Sequence, residues 1–494
     1  MIQRKSFLFA VVPLIATLLS LTAGCFFAPP PCEGCGDPAI DVCIPAEATS
    51  PPPDACGVFV SASASPGGDG TKDSPFGTLA VALSGAQPGD NVYACGEVFR
   101  EPVLLPAGLH LYGGLDCADG FWYAPDRART EISPPPGQLA LRVLPGDGET
   151  HIVDVRIVAA AATEPGASSI AALVDHARVV FVRSSLVAGD AADGASGAPF
   201  ALAALPGADG LPGSDACLAA LSPGAPSPST TCEGGFSKGG AGGDGALLTG
   251  SDGVDGAPFV VANHGLGETS NGAPCAPGWS GSPGAPGSPG LGATGLGLLH
   301  PAGYTGPPAE DGAPGAIAQG GGGGGGARGG SGPAACGFGS LLGGASGGSG
   351  ASGGCGGSGG RAGAPGGASI ALVSLFADLT FENTSLIAAR AGDGGSGGPG
   401  QLGGKGGKPG KGGFATGSLS SACAGGSGGQ GGQGGRGGGG SGGHSAGIAF
   451  AGGPLTLSGA SISVSSPGQG GSGEGPPGTG AAGIAAATLE LPGP

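Results

Sequence analysis

The sequence predicts an all-β fold in which short strand coils stack as a parallel β-helix, closed by an N-terminal capping helix and interrupted by glycine-rich insertions. Three observations point there. One segment, Ser369 to Ala389, recurs as Ser169 to Ala188, more loosely as Leu139 to Val143 with Ile152 to Ala159, and again as Gly447 to Phe450 with Leu455 to Val464. The second half of each copy has a period of two, which means strand: Val153 to Arg156, Val180 to Arg183, Leu379 to Glu382 and Leu455 to Ser458. A unit this small buries its apolar face only against the next copy, so the copies must stack. Val155 and Val182 lie 27 residues apart, one coil with a generous turn, whereas the steps to Phe381 and Leu457 are far longer. The excess reads as insertions leaving one corner, just after Ala188 and Ala389.

Residues 1–24 read as an export signal: Arg4 and Lys5, the uncharged apolar run Phe7 to Leu21, then Thr22-Ala23-Gly24-Cys25. These residues resemble the bacterial lipoprotein signal, although Thr22 stands where Leu is commoner. The resemblance implies cleavage before Cys25, lipid on Cys25 and a membrane partner through that lipid. Read without it, Phe7 to Gly24 is an apolar run barely long enough to span a membrane. Phe26 and Phe27 replace the aspartate that retains enterobacterial lipoproteins at the inner membrane. The implied place is an outer-membrane lipoprotein of the cell envelope, periplasmic or surface exposed.

Cleavage removes two of the 18 basic residues and none of the 35 acidic ones, moving the formal charge from −17 to −19. With no basic patch, nucleic acid is excluded as a partner. Residues 25–55 are rich in Pro and Cys and read as a tether stapled by Cys32, Cys35, Cys43 and Cys56. The Cys32-Glu33-Gly34-Cys35 spacing also occurs in zinc and redox sites; an oxidising compartment and the lack of a second ligand cluster favour disulfides. By proximity, Cys95 pairs with Cys117 and Cys217 with Cys232.

Residues 56–196 open the β-helix. Gly67-Gly68-Asp69-Gly70 through Pro75-Phe76-Gly77-Thr78-Leu79 to Leu83, then Gly89 to Ala94, resembles the start of right-handed parallel β-helix proteins of the pectin-lyase-like family. The resemblance implies a short helix, beginning near Pro75, that caps the stack. Phe76, Leu79, Ala80 and Leu83 also fall at helical spacing. Strands are expected at 92–94, 103–105 and 109–112. A further rung occupies 367–397 and the last rungs 444–494.

The insertions, 197–366 and 398–443, hold most of the 118 glycines. Such composition reads as disorder. Against that, glycine falls at every third position over 278–290, 344–359, 394–406 and 425–443. A period of three is the polyproline II repeat, so these runs form either a bundle of extended helices or disordered loops. As a helix, 425–443 would span about 56 Å. The composition resembles the glycine-rich repeat regions of mycobacterial surface proteins.

No catalytic or metal-binding residues emerge, and no cofactor. The aligned copies place Asp154, Phe181, Thr380 and Thr456 in one outward column and Arg156, Arg183, Glu382 and Ser458 in the next. Asp154, Arg156, Arg183 and Glu382 are thus the candidate outer face, Asp154 solvated and Arg183 paired with Glu382 in a surface ion pair. Gly239 to Asp244 matches the calcium-binding glycine repeat once, without recurrence. Asp-Gly pairs at Asp209, Asp244, Asp252, Asp255 and Asp311 read as turns, and the glycines Gly320 to Gly326 lack the Lys-Ser of a phosphate loop. The expected role is structural, adhesive or carbohydrate-binding, with polysaccharide or surface proteins as partners. The alternative is a polysaccharide lyase or glycoside hydrolase of the pectin-lyase-like fold.

Overall fold

Short apolar strands separated by turn residues fold into three parallel sheets that the chain visits in rotation. The computed structural model describes residues 41–331, 336, 341–452 and 455–494, and Val42–Pro494 forms one unit. The export signal, Cys25, Cys32 and Cys35 lie outside the described residues.

Strand β1 (Gly57–Val60) precedes helix α1 (Leu79–Ser84). The first full coil is β2 (Asn91–Cys95), β3 (Val98–Phe99) and β4 (Val103–Leu105). The second is β5 (His110–Asp116), with a short antiparallel partner β6 (Trp122–Tyr123), then β7 (Thr130–Ile132) and β8 (Leu141–Val143). The third is β9 (Glu149–Val153), β10 (Val155–Val158) and β11 (Ser169–Asp175). The fourth is β12 (Arg178–Val182), β13 (Ser185–Val187) and β14 (Ser369–Leu375); the fifth is β15 (Asp378–Glu382), β16 (Thr384–Ala388) and β17 (Ser445–Ala451). Strands β18 (Ala460–Val464) and β19 (Ala485–Glu490) extend the second and third sheets. Ser169 registers with Ser369 and Ile170 with Ile370, a step of 200 residues between adjacent rungs.

The inward side chains of all three sheets form one core that includes Phe99, Leu111, Ile152, Phe181, Leu372 and Ile448. Each fully buried Leu, Ile or Phe contributes about 1.5–3 kcal/mol. Phe181 stacks on Phe381 with ring centroids 5.8 Å apart. Helix α1 covers one end of this core with Leu79, Ala82 and Leu83. Thr78 caps it by accepting from the Val81 N–H, and the Glu101 carboxylate takes the Leu79 and Ala80 N–H groups at 2.8 and 3.1 Å. The helix starts at Leu79, so Phe76 precedes it, and Ala82, not Ala80, faces the core.

Polar side chains recur where the coils bend. Thr130, Ser184 and Thr384 are buried at the second-sheet corner, and their hydroxyls donate to the carbonyls of Cys95, Ile152 and Phe181. At the corner entering the third sheet a serine closes the third, fourth and fifth coils. Ser169 Oγ donates to Ala160 and accepts from Gly189; Ser369 Oγ donates to Gly189 and accepts from Ala389; Ser445 Oγ donates to Ala389 and accepts from Ser465. The insertions leave and return between these clasps.

Inside the insertions, backbone pairing repeats every three residues, which is the polyproline II period. Segment 425–443 donates from Gly428, Gly431, Gly434, Gly437 and Gly440 to segment 395–407, and from Gly426, Gly429, Gly432, Gly435 and Gly438 to segment 310–322. The insertions are therefore a bundle of hydrogen-bonded extended segments. Gly320 to Gly326 run through its centre, and every one of these seven N–H groups donates to a neighbouring segment. A Cβ on any of them would meet a carbonyl oxygen at 1.7 to 2.2 Å, which is why the run is unbroken glycine. The Asp-Gly pairs are not simple turns. Asp209, Asp252 and Asp311 accept from the backbone N–H groups of Lys408, Gly267 and Ala362 on adjacent segments.

Cys95 bonds Cys117, and Cys43 bonds Cys56. Cys217 and Cys232 are not joined to each other: Cys217 bonds Cys336, Cys232 bonds Cys355, and Cys275 bonds Cys423. The bundle brings together segments 119 to 148 residues apart, so nearness in sequence is a poor guide there. In the chain-entropy account, loops of that length make each crosslink worth on the order of 4–5 kcal/mol.

Two predictions follow from this packing. Gly323→Ala puts a Cβ 1.7 Å from the Ala241 carbonyl oxygen and should destabilise the bundle by about 3 kcal/mol. Gly85→Ala, with open space at its Cβ, should be neutral in the same thermal unfolding experiment. The second concerns His444, 2% exposed, whose Nε2 donates to Leu296 O at 2.8 Å while Nδ1 accepts from the Ile484 N–H at 3.0 Å. Burial lowers its pKa, so the unfolded chain binds the proton more readily. Its contribution is full above the unfolded value of about 6.5 and is lost as pH falls below it. Protection of the Ile484 amide, measured against its intrinsic exchange rate at each pH, should therefore fall between pH 7.5 and 5, and His444→Gln should remove that acid sensitivity.

Candidate functional site

The candidate site lies where the first sheet turns into the second. The third, fourth and fifth coils each make this turn through one left-handed residue: Asp154 at φ 57°, Arg183 at 46° and Asn383 at 48°. The register pairs Val153 with Val182 and Val182 with Glu382, so these three residues form one column. Beside it on the second sheet run Arg156, Ser185 and Ser385. Together with Asp126 and Arg129 they line a cleft of about 360 Å³.

The columns expected from the alternation are corrected by this register. Val182 pairs with Val153, so the first two copies slip by two residues; Val179, not Val180, pairs with Leu379. The left-handed corner residue falls at a different place in each copy as aligned, at Asp154, Arg183 and Asn383, so alternation alone misplaces the columns. Leu455 to Leu457 is not strand, and the first sheet ends at β15 among the described residues.

Asp154 is not solvated: its side chain is 6% exposed. Arg183 grips both its oxygens, Nε to Oδ1 at 3.0 Å and a terminal nitrogen to Oδ2 at 2.8 Å. The Tyr123 hydroxyl, from β6, donates to Oδ2 and accepts from Arg183 at 3.0 Å. Burial first, then the Asp154 carboxylate, pushes the Tyr123 phenol up to about 12. The same carboxylate raises the pKa of Arg183, which stays cationic. Arg183 therefore pairs with Asp154, not with Glu382; only its backbone N–H reaches the Glu382 carbonyl, at 2.7 Å. Glu382 is exposed and outside the cleft lining.

Arg156 is held by Glu131, and Ser385 donates to Ser185 at 2.9 Å. Arg129 makes no ion pair among the described residues, and Asp126 is exposed beside it. The lining thus sets three arginines against two aspartates, with one arginine and one aspartate unspent. Sequence reasoning found Asp154, Arg156 and Arg183 but missed Asn383, Ser385, Asp126, Arg129 and Tyr123. Asn383 had a readable signal, since Asn and Asp tolerate the left-handed region that a tight corner requires.

Among the described residues no three His, Cys, Asp or Glu side chains are gathered as they would be around a metal ion. No described helix is long and apolar enough to cross a membrane. Comparison with known proteins returns no matching family model, no curated relative and no similar solved structure.

Proposed function

We propose that the chain is a lipid-anchored envelope protein in which a right-handed parallel β-helix of pectin-lyase-like type presents a carbohydrate-binding cleft. The glycine-rich bundle is its rigid, adhesive extension. The observation that carries this reading is the cleft lining of arginine, aspartate, asparagine and serine side chains. These planar donors and acceptors match vicinal hydroxyls, and their near balance of charge suits a neutral sugar better than a polyanion, which a chain of formal charge −17 would repel.

A lyase or hydrolase would need carboxylates free to give or take protons. Asp154 has both oxygens engaged by Arg183 and Tyr123, leaving Asp126 as the free carboxylate of the lining. The arrangement supports holding a sugar rather than cleaving one.

A panel of neutral oligosaccharides titrated into the mature protein should reveal millimolar to micromolar binding. Arg129→Ala with Asn383→Ala should weaken it about tenfold or more; undiminished binding in that double variant would place the sugar elsewhere. Anchoring is checked separately. Cys25→Ala should lose incorporated fatty acid and leave the 24-residue signal uncleaved, and fatty acid still incorporated in that variant would overturn the lipoprotein reading.

A further inference from the structure

The three sheets end on unlike edges. Helix α1 covers the core at the β1 end. At the other end the last strands are β15, β18 and β19, and each has no strand partner on its outer side among the described residues. An open edge recruits a further strand unless charge or proline guards it. Strand β15 carries Asp378 and Glu382 at its two ends. Strand β19 carries Glu490, which the register sets beside the core residue Phe450 and which is exposed there. Strand β18, Ala460-Ser461-Ile462-Ser463-Val464, has neither charge nor proline.

The free row of groups on β18 follows from the row already used. Gly459 O accepts from the Thr384 N–H at 3.0 Å, and the Ser465 N–H donates to Ala388 O at 3.1 Å. Bonds to a parallel neighbour fall on alternate residues, so Ser461 and Ser463 also face β16. The Ala460 carbonyl, both backbone groups of Ile462 and the Val464 N–H therefore point away from it. Ala460 and Ile462 pack half-buried on the core, and Ser461 and Ser463 are exposed on the outer face. About Ile462 the strand reads nearly alike in both directions, with serine one step away and a small apolar residue two steps away.

We propose that β18 pairs antiparallel with β18 of a second copy, about a twofold axis at Ile462. Each Ile462 N–H donates to the Ile462 carbonyl of the other copy, and each Val464 N–H to the other's Ala460 carbonyl. Ser461 then lies opposite Ser463 in the close, non-hydrogen-bonded position, hydroxyl against hydroxyl. Ile462 meets its mate where the core of each copy is open, so apolar surface is covered on both sides. The ladder that joins rung to rung within the chain thus runs on into a second chain, and a twofold contact closes on itself there. With strands of five residues the contact is small, and the dimer is weak, micromolar to millimolar. It uses no residue of the cleft. Many copies on one surface would multiply its effect.

The test is sedimentation velocity from micromolar to millimolar concentration on the mature chain made without Cys25, so that no lipid holds copies together. Hydrogen exchange at the Ile462 and Val464 amides is followed over the same range. The expected result is a monomer–dimer equilibrium, with protection at both amides rising as the dimer forms. Ser461→Lys with Ser463→Lys sets like charges opposite each other at exposed positions and should weaken the dimer about tenfold. Ser461→Asp with Ser463→Lys sets opposite charges there and should restore it, which a folding defect would not allow. A chain that stays monomeric, or a dimer that the double lysine variant leaves as tight, would overturn the proposal. So would Ile462 exchange that does not depend on concentration while a dimer forms, since the copies would then meet elsewhere.

Discussion

The bundle depends on one arrangement: a backbone N–H on one extended segment meeting a backbone carbonyl on the next, at every third residue, with no side chain between them. Two chains approach closely enough for that bond only where the facing residue has no Cβ. A segment with one buried face therefore needs glycine at one position in three, and a segment with two buried faces needs it at two. Segment 425–443 bonds to four neighbours, and its Cβ positions would strike two of them, 349–364 and 279–291, so it reads largely as Gly-Gly-x. Gly320 to Gly326, surrounded on all sides, has no position left for a side chain. Glycine content is thus a record of how many neighbours lie against a segment's Cβ positions. The entropy lost in ordering so much glycine is large, and the three bundle disulfides, by restricting the unfolded chain, offset part of it.

The strand stack supplies what such a bundle lacks, a fixed starting register. Glycine faces are alike, and a slip of three residues would cost little. The serine clasps fix where each insertion begins and ends, because Ser369 joins Gly189 to Ala389 across the corner from which both insertions leave. The segments beyond inherit the step of the stack: Gly194 donates to Asp393 and Gly197 to Ser396, close to the 200-residue step of β11 and β14. Aspartates reinforce the register from outside. Asp190 and Asp193 accept from the Arg390 and Asp393 N–H groups, and the Asp393 N–H is the leading cause that holds the Asp193 carboxyl below its ordinary pKa. Part of the chain's negative charge therefore has a structural origin, as acceptors for backbone donors left at the bundle surface.

Much of the stack was legible because its rungs repeat apolar residues in the same places. The match of Ser169 to Ser369 could be read directly, and it is the register found. The outward columns could not, because alternation counts strand residues and is blind to where in each copy the left-handed corner residue falls. Asp154 and Arg183 consequently fell in different columns, although they lie in one and form the central ion pair of the cleft. The period-three glycine gave the bundle's segments but not their neighbours, which are set by three-dimensional packing. The pairing of Cys217 and Cys232 failed for that reason.

The two halves of the molecule present different chemistry to a partner. The stack exposes side chains at corners, where left-handed residues project charged and polar groups into one cleft. The bundle is built on backbone, whose donors and acceptors recur at a fixed three-residue spacing. Recognition by side chains discriminates among small shapes such as sugar hydroxyls; recognition by backbone discriminates by conformation and by the absence of side chains.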